Sequence, residues 1–265
     1  MEIFNSFMVL CMVLVGIGMT APLPSNGQVA PGNLYLTRLK HVPVLCYHQV
    51  RDWGKDDSKT ARTFIMPVAL FSAEMQMLHD SGYHTISADQ LIAYVTTGAL
   101  LPAKPVVLTF DDGTASQYEN ALPELNKYGF KAVFFIMTVV LDKKNYLSKN
   151  QVKKLTNEGH EIGCHTWDHH NVTQYKGDDW KIQVQQPVSL LKSITGMPVK
   201  YFAYPYGLWN KNAADALKNY GFSAAFQLWG APDEQSPLLA IKRILVDGNW
   251  SAAQLSAVMK RNYQY

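Results

Sequence analysis

The stretch "PVVLTFDDG" (105–113) runs six mostly apolar residues directly into two adjacent carboxylates and a glycine. Apolar on both faces, "PVVLTF" reads as a strand buried on both sides, the mark of a parallel sheet covered by helices. A turn beside Gly113 needs at most one Asp. Asp111 and Asp112 repel each other, and the second carboxylate needs solvent or a cation.

The same kind of run recurs as "VPVLCY" (42–47), "KAVFFIM" (131–137), "HEIGC" (160–164), "VKYFAY" (199–204), "FSAAFQ" (222–227) and "IKRILV" (241–246). Helical patterns lie between them: "PVALFSAEMQMLHDSG" (67–82), "SADQLIAYVTTG" (87–98), "ENALPELNKYG" (119–129), "SKNQVKKLTNEG" (148–159) and "NKNAADALKNYG" (210–221). Several end on Gly, a usual helix C-cap. "SADQ" and "SKNQ" carry the Ser and Gln of a capping box. Strand–helix alternation predicts a parallel α/β architecture. About seven strands without a Gly-rich phosphate loop favour a closed or nearly closed (β/α) barrel over a doubly wound nucleotide-binding sheet.

The 265 residues carry a formal net charge of +3, with no dense Lys/Arg run, so nucleic acid is not expected as a partner. Phe7–Met19 is an unbroken apolar run followed by "TAPLPSNGQ". That is the length of a signal-peptide core and short for a membrane span, so residues 1–25 read as a signal peptide, with an uncleaved anchor as the alternative. The chain is therefore expected to be exported: secreted, periplasmic or associated with the cell envelope. Residues 26–41 read as a loose segment and 42–265 as one domain. Cys46 and Cys164 make no disulfide framework and receive no chemical role.

Polar residues collect where the strands end. His48 follows the first run, Asp111 and Asp112 the second, and His165, Thr166, Trp167, Asp168, His169 and His170 follow "HEIGC". Pro205, Tyr206 and Gly207 follow "VKYFAY". In a parallel barrel these ends share one face, where barrel enzymes assemble their sites. One Asp oxygen with the imidazoles of His165 and His169 makes a donor set suited to Zn2+, with Co2+ or Ni2+ tolerated. The other Asp is then free to act as a base.

At these residues the chain resembles the polysaccharide deacetylases of carbohydrate esterase family four. "TFDDG" (109–113) is similar to that family's first motif and "HTWDH" (165–169) to its second. The resemblance implies a distorted (β/α) barrel and metal-dependent removal of N-acetyl groups from an N-acetylglucosamine polysaccharide. It implies Asp111 as general base and Asp112, His165 and His169 as metal ligands. The third motif departs: "FAYPYG" has Ala203 where Arg is usual, and Arg243 is the expected substitute for orienting the base. "DGNW" (Asp247 to Trp250) is similar to the fourth motif, while the late His of the fifth is missing.

Those departures resemble the exported poly-β-1,6-N-acetylglucosamine deacetylases, in which the acid His comes early, as His48 does in "CYHQV". On that reading His48 is the general acid, oriented by Asp247. The backbone N–H of Tyr206 faces the oxyanion, and Trp250, Trp209 and Trp167 are candidate sugar-stacking surfaces. Tyr206, Trp250, Asp247 and Arg243 form the expected substrate-side set, and no stable protein partner is expected. Two alternatives stand beside this reading: a catalytically weak carbohydrate-binding member of the fold, and a metal-dependent hydrolase of another amide.

Overall fold

The structure, a computed structural model, describes residues 31–263. The leader expected over residues 1–25 lies outside the described residues. Strands β1 (Val44–Tyr47), β5 (Pro105–Phe110), β6 (Ala132–Ile136), β7 (Glu161–Cys164), β8 (Tyr201–Ala203) and β9 (Ala224–Gln227) fall inside the apolar runs. All pair in parallel, in the order β9-β8-β7-β6-β5-β1. Short strands β2 (Gln49–Val50) and β3 (Ile65–Met66) pair separately, and β4 (His84–Thr85) pairs in parallel with the start of β5.

The seventh run departs from the expected single strand, and the departure closes the fold. It divides into β10 (Ile241–Lys242), which pairs with β9, and β11 (Ile244–Leu245), which pairs with β1. The two ends of the sheet are thus successive pieces of one segment, with Arg243 alone between them. The sheet comes round on itself as a nearly closed barrel.

Alternation along the strands sorts the core into two layers. Val44, Val107, Val133, Phe135, Ala203, Ala224, Phe226 and Ile241 belong to one buried cluster, and this set fills the barrel. Phe135 dominates it: a Cβ on Gly163 would lie 2.4 Å from its ring. The alternate residues Leu45, Tyr47, Leu108, Phe110, Phe134, Ile136, Cys164 and Phe202 join the helices in a second cluster. Among those helices are α3 (Val68–Asp80), α5 (Leu122–Lys127), α6 (Lys149–Asn157), α7 (Gln186–Thr195), α8 (Lys211–Asn219) and α9 (Ala252–Asn262), whereas α4 (Ala88–Thr97) packs through Leu91 and Val95 on the first cluster. Ser87 and Ser148 make the capping boxes expected for α4 and α6, and Ser251 makes a third for α9.

The expected loose segment over 26–41 is corrected in part, because residues 31–39 form helix α1 (Pro31–Leu39). Tyr35 and Leu39 pack on the cluster that contains Leu91 and Val95 of α4, and Arg38 Nη1 donates to the Val95 carbonyl at 2.7 Å. Among the described residues no helix is long and apolar enough to cross a membrane.

Candidate active site

Parallel pairing carries the ends of β1, β5, β7 and β8 to one mouth, over a cleft of about 410 Å³. His48, Asp111, Asp112, His165, His169 and Tyr206 all line it. Asp112, His165 and His169 bring one donor atom each to within 4.8 Å of one another. The Asp112 Oδ1 lies 3.5 Å from His165 Nε2 and 3.8 Å from His169 Nε2.

The fit to a cation rests on His165. Its Nδ1 donates to the Ala203 carbonyl at 2.8 Å, so Nε2 carries the lone pair, and Nε2 is buried with no hydrogen-bond partner. A ring tied at one nitrogen by a carbonyl, with the other aimed at a carboxylate and a second imidazole, is how metal-ligating histidines are held. Burial alone lowers the His165 pKa, but the Asp111 and Asp112 carboxylates outweigh burial and raise it. His169 is pushed down to about 4, first by burial and then by the charge of His165. The Asp112 carboxylate beside the imidazoles of His165 and His169 gives this mouth a donor set suited to a divalent cation.

The backbone is strained where these side chains are placed. Asp112, Thr166, His169 and Tyr206 all have φ between 60° and 76°. Left-handed backbone costs a non-Gly residue about 1–2 kcal/mol, and it persists only where the surroundings dictate it. The turn that presents Tyr206 also needs Gly207, because a Cβ there would sit 2.7 Å from the Leu228 backbone nitrogen.

Asp111 is 1% exposed and sits above the filled barrel. Arg243 donates Nη1 to Oδ1 and Nη2 to Oδ2, both at 2.7 Å, and Nη1 reaches Thr109 Oγ1 at 3.1 Å. Burial alone raises the Asp111 pKa, yet the guanidinium outweighs it and holds the carboxyl well below its ordinary value. The structure thus seats the Asp111-orienting guanidinium on the kink between β10 and β11, while Ala203 leaves room inside the barrel. Cys46 Sγ, His48 and Asp111 also lie within 4.8 Å of one another, but both Asp111 oxygens are taken by a cationic side chain, which disfavours a second cation there.

Three substrate-side expectations are corrected. Arg243 is 2% exposed with both terminal nitrogens on Asp111, so it orients the carboxylate rather than touching a ligand. Asp247 does not bond His48. Its Oδ1 accepts from the Asn249 N–H at 2.9 Å and the Asn249 side chain at 2.7 Å, and His48 Nδ1 has no partner. Trp250 packs against the core and, like Asp247, is absent from the cleft lining. Trp209 likewise stacks on Tyr204, with centroids 6.4 Å apart.

The cleft has aromatic walls that sequence reasoning missed: Phe64, whose ring meets His48 edge-on at 5.1 Å, and Trp229, which is 55% exposed. Trp229 stands two residues past the end of β9, and the strand-end rule that selected the other site residues selects it too.

Fold and donor set define a parallel-barrel protein with a carboxylate–imidazole centre at the strand ends. Residues 100–225 match the family model described as Polysaccharide deacetylase. His48 and Arg243 both lie outside the matched segment. The chain is 26% identical over 220 residues to the Bacillus subtilis protein YxkH, covering 83% of this chain and 76% of that one. It is 27% identical over 210 residues to a Staphylococcus aureus poly-beta-1,6-N-acetyl-D-glucosamine N-deacetylase, covering 69% of this chain and 71% of the relative. The structure of IcaB from Ammonifex degensii superposes with a TM-score of 0.71 at 26% identity, covering 83% of this chain and 97% of that chain.

Proposed function

We propose that this protein is a metal-dependent hydrolase that removes N-acetyl groups from an N-acetylglucosamine-containing polysaccharide and releases acetate. The observation that carries the reading is one cleft holding two kinds of carboxylate. Asp111 is locked by Arg243 as an ionised base, and Asp112 is grouped with His165 and His169 as a ligand set.

Asp112 Oδ1, His165 Nε2 and His169 Nε2 would hold the metal, for which zinc is proposed on the mixed oxygen and nitrogen donors. When bound, the cation polarises the acetamide carbonyl and lowers the pKa of water. Asp111 takes the proton of the attacking water, and Arg243 keeps both of its oxygens in one plane. The Tyr206 N–H is the proposed oxyanion donor, because Tyr206 and Gly207 of its left-handed turn line the cleft. His48 delivers a proton to the departing nitrogen, so that amide and water become acetate and a free sugar amine. Trp229 and Phe64 offer faces on which a sugar ring rests. Export through the apolar segment Phe7–Met19 suits a polymeric substrate outside the cell.

The β-1,6 linkage is proposed from the similarity to the named S. aureus deacetylase. Acetate release by the zinc-restored protein on matched β-1,6 and β-1,4 N-acetylglucosamine oligomers tests it. Release from the β-1,6 series alone is expected. Release from the β-1,4 series alone discards the linkage, and release from neither, with zinc bound, discards the deacetylase reading.

A further inference from the structure

Two π-helical turns, residues 117–121 and 181–185, interrupt the helical layer. Such turns carry one more residue than an α-turn and are frequent at functional sites. Each contains a buried glutamine: Gln117 is fully buried and Gln183 is 5% exposed. Neither lines the cleft; Gln117 reaches the backbone of cleft residues, and Gln183 the backbone between two of them.

Gln117 Nε2 donates to the His48 carbonyl at 2.9 Å and also to the Asp111 carbonyl. The second carbonyl belongs to the peptide that joins Asp111 to Asp112, so one amide grips the base, the adjoining ligand and the acid together. The same π turn sends Asn120 Nδ2 to the Val50 carbonyl at 2.8 Å, tying down the segment after His48. Gln183 Oε1 accepts from the N–H of Trp167 at 3.2 Å and of Asp168 at 3.4 Å. Those residues form the middle of the loop between His165 and His169.

The orientation of each amide follows from its partners. Carbonyls only accept, so Gln117 must present its NH2, and backbone N–H groups only donate, so Gln183 must present its oxygen. The segments so gripped include Asp112, Thr166 and His169, three of the left-handed residues, which need outside support to stay there.

We infer that Gln117 and Gln183 are positioning residues that set the two halves of the site, Gln117 as a donor and Gln183 as an acceptor. The inference rests on the metal-site reading above. Because the roles have opposite polarity, one substitution separates them. Glutamate matches glutamine in shape but, ionised, offers only acceptors.

The test is zinc affinity, by competition with a chromogenic chelator, together with kcat and KM for acetate release. It compares the full chain with Q117E, Q183E and the apolar variants Q117M and Q183M, each checked by thermal melting. Q183E is expected to keep its zinc affinity within about threefold. Q117E, Q117M and Q183M are expected to lose about 10–100-fold, the range for removing an outer partner of a metal ligand. In those variants kcat falls while KM holds. Equal behaviour of Q117E and Q183E, or wild-type zinc affinity in Q183M, overturns the inference. If Q117E does not fold, Q117M decides the donor arm. If the unaltered protein binds zinc but releases no acetate, the deacetylase reading fails while the affinity pattern still decides the glutamine roles.

Discussion

Replacing Arg243 with methionine keeps an unbranched apolar stem and removes the guanidinium from Asp111. The structure makes the consequence large, because both Asp111 oxygens lose charge-assisted bonds of 2.7 Å and retain only the Cys46 thiol at 3.5 Å. Asp111 is 1% exposed, so solvent replaces little of what is lost. Breaking a buried ion pair from one side costs about 3–5 kcal/mol. At about 2–4 °C per kcal/mol for a domain of this size, Tm falls by roughly 6–20 °C. Turnover falls by about 10²–10⁴-fold, the range for a general base that has lost its placement. Melts of zinc-free protein separate the first effect from loss of metal, and acetate release reads the second. D111N added to R243M removes the stranded charge, so the double variant is more stable than R243M alone. An R243M melt within about 2 °C of the unaltered protein refutes the reasoning. So does strict additivity of the two substitutions, since coupled groups do not add.

H48A keeps its zinc and loses about 10²–10⁴-fold in kcat, read by metal analysis beside acetate release; unchanged turnover removes His48 from the acid role. Glu74 is fully buried, and its carboxyl is pushed up to about 8 by burial, against the opposing bond from Tyr47 Oη at 2.9 Å. A carboxyl that holds its proton when folded and releases it near 4.5 when unfolded stabilises fully below 4.5 and loses that contribution as pH rises to about 8. The slope is about 1.4 kcal/mol per pH unit inside that window, and E74Q abolishes it in urea titrations from pH 5 to 8. A slope that survives E74Q assigns the titration elsewhere. W229A raises KM by about 3–10-fold with little change in kcat, from the roughly 0.5–1.5 kcal/mol of an aromatic face. A pure kcat effect in W229A contradicts a stacking role.

The barrel was legible because parallel strands buried on both faces leave continuous apolar runs, and helix starts at Ser87 and Ser148 write their chemistry within four residues. The mouth was legible for the same reason, since parallel pairing forces every strand end to one side. Arg243 is named from sequence as the substitute for the missing motif arginine, but nothing in the sequence shows how it reaches Asp111. Its partner is decided where β10 gives way to β11, a matter of barrel closure. Asp247 failed for the opposite reason, because a local turn onto Asn249 claimed the carboxylate expected at His48. Around Gln183 the helical period was hidden, because the π turn over 181–185 adds a residue and shifts the apolar positions of α7 out of register. The aromatic wall at Trp229 went unread although its position after β9 carried the same signal as His48 after β1.

Metal-titrated turnover asks whether Asp112, His165 and His169 hold a cation that acetate release requires. Protein stripped by chelator and refilled with zinc in substoichiometric steps is assayed for acetate release on N-acetylglucosamine oligomers, beside D112A treated identically. The account predicts activity that rises linearly to one equivalent of zinc, and a D112A variant that neither retains zinc nor releases acetate. Full turnover by stripped protein, or an active D112A variant without metal, would contradict it.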